Sequence, residues 1–241
     1  MYKGHEITVV IPCLNEAPGI GKVLRRIPEF VDEILVVDNN STDDTANIAR
    51  ELGATVIHEN LPGYGRAYKT GLFRARGNII ITLDGDHSYP VDALSYLIEA
   101  LLHSRVGFVS ASRFPMTDRD SMSRLNLWGN RLLSLAASVL FFRWIRDSQS
   151  GMWIFYKDAL EKMDLVSDGM AFSEEIKLEA ILKPEIGFRE IPIRFSNRAG
   201  EKKLRPWRDG WRNLSFLVRK RLLPHRRARA RESRPQVGSP Q

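Results

Sequence analysis

Four apolar runs open the chain: ITVVIP from Ile7, EILVVD from Glu33, ATVIHE from Ala54 and NIIITLD from Asn78. Between them lie three stretches of helical character, GIGKVLRRIPEF, STDDTANIARELG and GYGRAYKTGLFRARG. This alternation constrains the fold more than any other feature. Strands joined through helices run parallel, and the helices cover both faces of the sheet. NIIITLD fits that burial, because its apolar residues run on without alternating. In the second helix, Ser41 or Thr42 is expected to cap the start, Asp43 and Asp44 suit its positive end, and Gly53 closes it.

After Phe114 the pattern changes. A loop leads into a long, rather apolar helix ending near Trp144. Then come a strand and a helix start in SGMWIFYKDAL, a helix with charges on one face in FSEEIKLEAILK, and a strand in GFREIPIRFSNR. An amphipathic basic helix completes the series in RPWRDGWRNLSFLVRKRLL. No internal repeat is visible.

A length of 241 residues suffices for one such domain with a real core. Cys13 is the single cysteine, so no internal disulfide is expected and a reducing compartment fits. The N-terminal MYKGHEITVVIP does not have the form of a signal peptide. The longest apolar stretch, Leu132 to Phe142, has about half the length that spans a bilayer, so a soluble or peripheral protein is expected. Much of the net charge of +7 lies after Arg219, in a polar stretch expected to be disordered. No aromatic residue occurs after Pro224, and no nucleic-acid-binding module is recognisable, so nucleic acid is not an expected partner.

Ligands of open parallel sheets gather at the carboxyl ends of the strands. Three polar loops fall there: PCLNE, DNNSTD and DGDHSYP. In the last, Asp84 and Asp86 put two carboxylates over one patch of space. Such a pair repels itself unless a cation or donors compensate. Mg²⁺ and Mn²⁺ take hard oxygen ligands and share their shell with phosphates, which suits a metal–diphosphate site. A solvated turn is the alternative, since Asp and Gly are common turn residues.

Eight segments in order carry a resemblance: VVIPCLNE, ILVVDNNSTDDT, GYGRAYKTG, LDGDHSYP, SASRF, DSQSGMWIFYKDAL, FSEEIKLEA and NRAGEKKL. Together they resemble inverting glycosyltransferases of family 2, most closely the dolichyl- or polyprenyl-phosphate sugar synthases. The resemblance covers Ile7 to about Leu217. It implies an α/β GT-A fold with a mostly parallel, Rossmann-like sheet flanked by helices in a single domain over 1–217. Residues 1–113 would bind the nucleotide sugar, 114–217 would face the acceptor, and 218–241 would be a basic disordered tail.

The resemblance also implies roles. Pro12, Leu14 and Glu16 would line the base and ribose. Asp38 and Asn39 occupy a base-reading position where relatives usually carry two acids, and Asn both donates and accepts. Gly63 and Gly65 would let backbone approach a ligand closely, with Arg66 and Lys69 within reach of phosphate. Asp84 and Gly85 would contact the nucleotide sugar. Asp86 would be the main metal ligand, with Asp84 beside it and Ser88 where relatives often carry Gln. His87 is expected to be incidental. Arg113 would meet the phosphates. Asp147, Gln149 and Ser150 would contact sugar hydroxyls, whereas Trp153 is expected in the core. Glu175 is the preferred active-site acid, with Glu174 one position away. Arg198, Gly200, Lys203 and Leu204 fit a segment that folds over the phosphates in relatives, and Lys202 stands where Ser is usual.

The implied reaction is metal-dependent, Mg²⁺ or Mn²⁺ serving as cofactor. A hexose leaves a nucleoside diphosphate sugar of GDP-mannose or UDP-glucose type with inversion. A polyprenyl or dolichyl phosphate needs no strong base and favours cations such as Arg198, Lys202 and Lys203. A hydroxyl acceptor, soluble or otherwise, would need Glu175 or Asp147 as base. A lipid acceptor implies a peripheral enzyme at the cytoplasmic face of a membrane, recruited directly or through a membrane protein. Trp207, Trp211 and Phe216 beside arginines suit that surface.

Overall fold

The computed structural model describes residues 1–116, 122–200 and 206–223. One seven-stranded sheet organises them, in the order β3-β2-β1-β4-β6-β5-β7. The first half shows the expected alternation. Strand β1 (Ile7–Cys13) leads to helix α1 (Ala17–Leu24), β2 (Glu33–Asp38) to α2 (Thr45–Glu51), and β3 (Thr55–His58) to α3 (Tyr64–Arg74), before β4 (Ile79–Thr82). β1 pairs in parallel with β2 and β4, and β2 with β3. Ile79, Ile80, Ile81 and Thr82 are all fully buried, as the unbroken apolar run requires.

Helix α4 (Leu94–Leu102) leads to β5 (Phe108–Ser112), and the long helix α5 (Arg124–Phe141) to β6 (Trp153–Tyr156). The short α6 (Asp158–Glu161) and α7 (Phe172–Leu182) precede β7 (Phe188–Pro192) and α8 (Pro206–Leu222). β6 is antiparallel to both its neighbours, β4 and β5, whereas β7 is parallel to β5. By running the other way, β6 brings the residues that precede it to the same sheet edge as the carboxyl ends of β1, β2, β4 and β5.

The core has two faces and an annex. Ile7, Val9, Ile11, Ile79 and Ile81 pack under α1 and α4 on one face, and Val10, Val37, Ile80, Phe108 and Phe155 under α3 and α7 on the other. Leu133, Ala137, Phe141, Ile145, Leu178 and Leu217 form the annex that joins α5, α7 and α8. Trp153 is fully buried and packs on Tyr68 and Phe172.

Several local expectations change. The first helix runs over Ala17–Leu24 rather than to Phe30, and Pro28 cannot extend it because it lacks the N–H a helix needs. The second helix starts at Thr45 behind Asp44, without a side-chain cap. Ser41 and Thr42 instead hold the loop after β1: Ser41 Oγ accepts from Asn15 N at 2.9 Å, and Thr42 N donates to Asn15 Oδ1 at 2.7 Å. Helix α7 has no charged outer face, since Glu174, Glu175, Lys177 and Glu179 are all buried. α8 continues through Leu222, past the boundary expected at 217, and residues 224–241 of the expected tail lie outside the described residues.

Gly63 and Gly65 admit protein rather than ligand. A Cβ on Gly63 would meet Asp168 O, and one on Gly65 would meet Ser167 O and come within 2.7 Å of Phe172 Cβ. The start of α3 is thus pressed against the loop before α7. Gly65→Ala is expected to destabilise the fold by about 1–3 kcal/mol through overpacking, read as a lower denaturant midpoint with an unchanged m-value.

Candidate functional site

A cleft of about 1530 Å³ opens at the carboxyl edge of the sheet. Pro12, Leu14 and Glu16 line it from the loop after β1, Asn39 and Asn40 from the loop after β2, and Asp84, Gly85, Asp86 and Ser88 from the loop after β4. Arg113 enters from the end of β5 and Gln149 from the segment before β6, while Asn197, Arg198 and Gly200 come from the segment after β7. The far end of the cleft is rich in apolar side chains, with Asn126, Asn130, Arg208 and Arg212 among them. Leu125, Trp128, Leu132 and Leu133 of α5 face Trp207, Trp211 and Leu214 of α8 there.

The carboxylate pair is oriented by its own loop. Asp86 Oδ1 accepts from Ser88 N at 2.9 Å and from Ser88 Oγ at 2.5 Å. Ser88 therefore spends its hydroxyl proton on Asp86. Arg198 Nη2 lies 3.5 Å from Asp86 Oδ2 and 3.2 Å from Glu16 Oε1. Its segment is laid along the DGDHS loop by backbone bonds, Ser196 N to Ser88 O at 3.0 Å and Ala199 N to Asp86 O at 2.7 Å. Asp84 Oδ1 accepts from Tyr68 Oη at 3.3 Å. Burial, and then the neighbouring Asp86, raise the Asp84 carboxyl to about 7. A half-buried Asp84 without a cationic partner of its own among the described residues, beside a buried Asp86, fits a divalent cation. Among the described residues no cluster of three or more His, Cys, Asp or Glu could hold a metal, so diphosphate and water would complete the shell.

Arg113 and Asp147 form a buried bidentate pair. Nε donates to Oδ2 at 2.8 Å and Nη2 to Oδ1 at 2.7 Å, while Arg113 N donates to Oδ2 at 2.9 Å. Burial pushes the Asp147 carboxyl up, but the Arg113 guanidinium outweighs it and holds the group at about 2. Asp147 does not line the cleft, and its oxygens are committed to Arg113. The guanidinium also lies over the Phe195 ring, 5.4 Å from its centroid. Around the pair, Lys177 Nζ donates to Asp147 O at 2.7 Å, and Glu190 accepts from Arg146 N and Asp147 N at 2.7 and 3.0 Å. Burial lowers Lys177 to about 8.

Gln149 bridges two helices. Its Nε2 donates to Glu174 Oε1 at the start of α7, and its Oε1 accepts from Asn213 Nδ2 of α8 at 2.8 Å. Burial raises Glu174 to about 8 against the pull of Lys177 and Gln149. Glu174, not Glu175, is therefore the acid joined to the cleft-lining Gln149. Glu175 Oε2 accepts from Val166 N and Ser167 N at 3.1 and 2.8 Å and holds the loop before α7.

Other expected residues fall elsewhere. The Asn39 amide is fully used by protein: Nδ2 donates to Glu59 O and Leu61 O, both at 2.8 Å, and Oδ1 accepts from Gly63 N at 2.8 Å. A carboxylate there could not make the two donations. Asp38 sits below the cleft lining, with Oδ1 accepting from Ser41 N and Oδ2 3.1 Å from His58 Nδ1. Arg66 and Gly65 do not line the cleft. Arg66 and Lys69 face Asp168, at 3.8 and 2.6 Å. Ser150 is buried and bonds Ala111 O. His87 Nε2 lies 3.1 Å from Arg26 Nη1. Lys202, Lys203 and Leu204 lie outside the described residues.

Tyr64, Tyr68, Tyr89, Phe195 and Asn213 complete the surroundings, and sequence reasoning does not single them out. Tyr64 and Tyr68 stand four apart in GYGRAYKTG, a helical spacing that puts both rings on one face. Asn213 lies between Asp209 and Leu217 at the same spacing, a polar residue on the inward row of α8 where an apolar one is the rule.

A glycosyltransferase is the class to which this cleft, with its carboxylate pair and Arg113, belongs. The chain belongs to glycosyl transferase family 2, whose model matches residues 8–164. It is 30% identical to the dolichyl-phosphate hexose transferase of Haloferax volcanii over 212 residues, covering 87% of this chain and 91% of that protein. It is 34% identical over 219 residues to the low-salt glycan biosynthesis hexosyltransferase Agl6 of the same organism, spanning 88% of this chain but 53% of that one. The fold matches glucosyl-3-phosphoglycerate synthase from Mycobacterium tuberculosis, crystallised with Mn²⁺, UDP and phosphoglyceric acid. The TM-score is 0.74 at 23% identity, over 90% of this chain and 78% of that one.

The buried acid gives a signed prediction. A carboxyl at about 8 in the fold, against its ordinary 4.5, contributes stability below pH 4.5 that is lost as pH rises toward 8. Glu174→Gln keeps a neutral group there at every pH. The melting temperature of the variant is expected to gain on that of the parent from pH 5 to pH 8. A constant difference across that range would mean that Glu174 ionises freely in the folded state.

Proposed function

We propose that this family 2 glycosyltransferase moves a hexose from a nucleoside diphosphate sugar, of GDP-mannose or UDP-glucose type, to a polyprenyl or dolichyl phosphate at a membrane surface. One observation carries the choice of acceptor. The cleft that holds Asp84, Asp86 and Arg113 runs without a break into the apolar channel between α5 and α8. A charged head group and an apolar tail would find matching surroundings along one path.

The exposed side chains of those helices, at and around the mouth of the channel, support the same reading. On α5, Leu125, Trp128, Leu132, Leu135 and Val139 recur at helical spacing and are exposed, with Phe142 beyond them at 77%. Trp207 and Trp211 of α8 are 76% and 69% exposed. Arg124, Arg131, Arg143, Arg208, Arg212 and Arg219 are exposed beside them. Aromatic and apolar rows flanked by arginine suit an interface between water and lipid, and each well-placed cation adds about 1 kcal/mol on an anionic surface. No helix among the described residues is long and apolar enough to cross a membrane. Attachment would then be peripheral, on the cytoplasmic face.

In this reading Pro12, Leu14 and Glu16 line the nucleoside, and Asp86, with Asp84 beside it, would hold Mg²⁺ or Mn²⁺. The ion, when bound, neutralises charge on the departing diphosphate. Arg113 and Arg198 add fixed cationic donors near the same oxygens. Arg113 stays in place because Asp147 grips two of its nitrogens. Gln149 offers its amide to the sugar. A phosphate acceptor arrives as an anion, so no strong base is required, and Asp147, locked to Arg113, need not serve as one. Attack from the face opposite the diphosphate inverts the anomeric centre. Ser88 orients Asp86 rather than acting chiefly as a ligand, and the base identity is left to groups other than the Asn39 amide.

The test is transfer of labelled sugar from GDP-mannose or UDP-glucose, with Mg²⁺ or Mn²⁺, to polyprenyl phosphate or to 3-phosphoglycerate. Label is expected in the lipid phase, and Asp86→Ala is expected to lower kcat on the order of 100-fold, about 3 kcal/mol of transition-state stabilisation. Label on the soluble acceptor alone would overturn the lipid reading. Trp128→Asp with Trp211→Asp is expected to abolish flotation with anionic vesicles while leaving the thermal unfolding midpoint close to that of the parent.

A further inference from the structure

Helix α8 is amphipathic, yet its inward row is not apolar throughout. Asp209, Asn213 and Leu217 are 8%, 4% and 0% exposed. Leu217 joins the annex core, and Asn213 does not. Asn213 Nδ2 reaches Gln149 Oε1 at 2.8 Å, across 64 residues of sequence. An amide side chain can sit either way round, and its partners decide which. Among the described residues the only donor bonded to the Gln149 oxygen is Asn213, while Nε2 faces Glu174 Oε1 and, at 3.1 Å, Ser148 Oγ. Without the donor on α8, the amide loses what distinguishes its two ends toward that side. Two buried acceptors in the same chain of contacts, Glu174 Oε2 and Asn213 Oδ1, have no hydrogen-bond partner among the described residues.

We infer that Asn213 is a positioning residue for transfer: from the inner face of α8 it sets the orientation of the Gln149 amide at the floor of the donor-sugar site. The inference rests on the reading of the cleft as a nucleotide-sugar site, but not on the identity of the acceptor. It also gives α8 a second role. The helix that carries the exposed Trp207 and Trp211 at the cleft mouth supplies, on its inward row, a contact that the reacting sugar depends on.

A double-mutant cycle in the full chain tests it, with kcat and donor KM measured for polyprenyl phosphate transfer and for acceptor-free hydrolysis of UDP-glucose and GDP-mannose. Asn213→Ala is expected to lower kcat roughly tenfold, the worth of one hydrogen bond made in the transition state. Donor KM should stay within about twofold, because the nucleotide is held elsewhere. In a Gln149→Ala background the same change should cost nothing further, since Asn213 acts through Gln149. Asn213→Leu, which keeps the volume, replaces Ala if the smaller residue lowers the unfolding midpoint. The proposal falls if kcat is unchanged, if the two losses multiply, or if KM rises while kcat holds. Hydrolysis without any lipid transfer would remove the lipid acceptor and still decide the role of Asn213. Absence of both activities in the parent chain would overturn both readings.

Discussion

The Arg113–Asp147 pair is the contact on which the rest of the site depends. Both partners are buried, so each alone would be costly, and only the two-point geometry makes the arrangement tolerable. The pair joins the end of β5 to the segment before β6. That segment is then held from three further sides: by Lys177 at the Asp147 carbonyl, by Glu190 at two backbone N–H groups, and by Ser134, whose Oγ accepts from Ser148 N at 2.9 Å. Every group that fixes Asp147 also fixes Gln149 two residues on. The position of Arg113 and that of the Gln149 amide are thus one mechanical problem with one solution.

The donor half was largely legible in the sequence. Its strands announce themselves by unbroken apolar runs, and its polar loops by position after those runs, so Pro12, Glu16, Asp84 and Asp86 fall together from the sequence, and the family resemblance adds Arg113. What could not be seen was which polar residues serve the protein itself. Asn39 has the chemistry of a base reader, but its amide is spent on the loop at 59–63. Gly63 and Gly65 look like a ligand cradle, but the neighbour that needs the space is the loop before α7. Glu174 and Glu175 are adjacent and chemically alike. Only the helix phase decides that one meets Gln149 and the other caps two backbone amides. Charge at helical spacing suggested a wet face for α7, yet the charges there are buried. Periodicity records polarity, and polarity is not exposure once partners are supplied from elsewhere in the chain.

Helices α5 and α8 invert the usual order of an amphipathic pair. Their contact with the domain is modest and partly polar, through Ser134 and Asn213, while large aromatic residues are left exposed. For a protein surrounded only by water this costs stability through exposed apolar area without return in packing. Opposite a lipid surface the same face becomes the favourable one. The annex of Leu133, Ala137, Phe141 and Leu217 is just large enough to keep the two helices together as a unit.

The reversed strand β6 has a consequence for how the molecule comes into being. The donor half is assembled from neighbours in sequence, one strand and helix at a time. The other half is stitched across distance: Arg113 meets Asp147 over 34 residues, Gln149 meets Asn213 over 64, and Arg198 meets Glu16 over 182. Closing such loops is entropically expensive and rewards only a chain whose ends have already come together. A nascent or partly opened chain can therefore carry the aspartate loop and the strands beneath it without carrying a working site. Transfer chemistry is confined by topology to molecules that have finished folding.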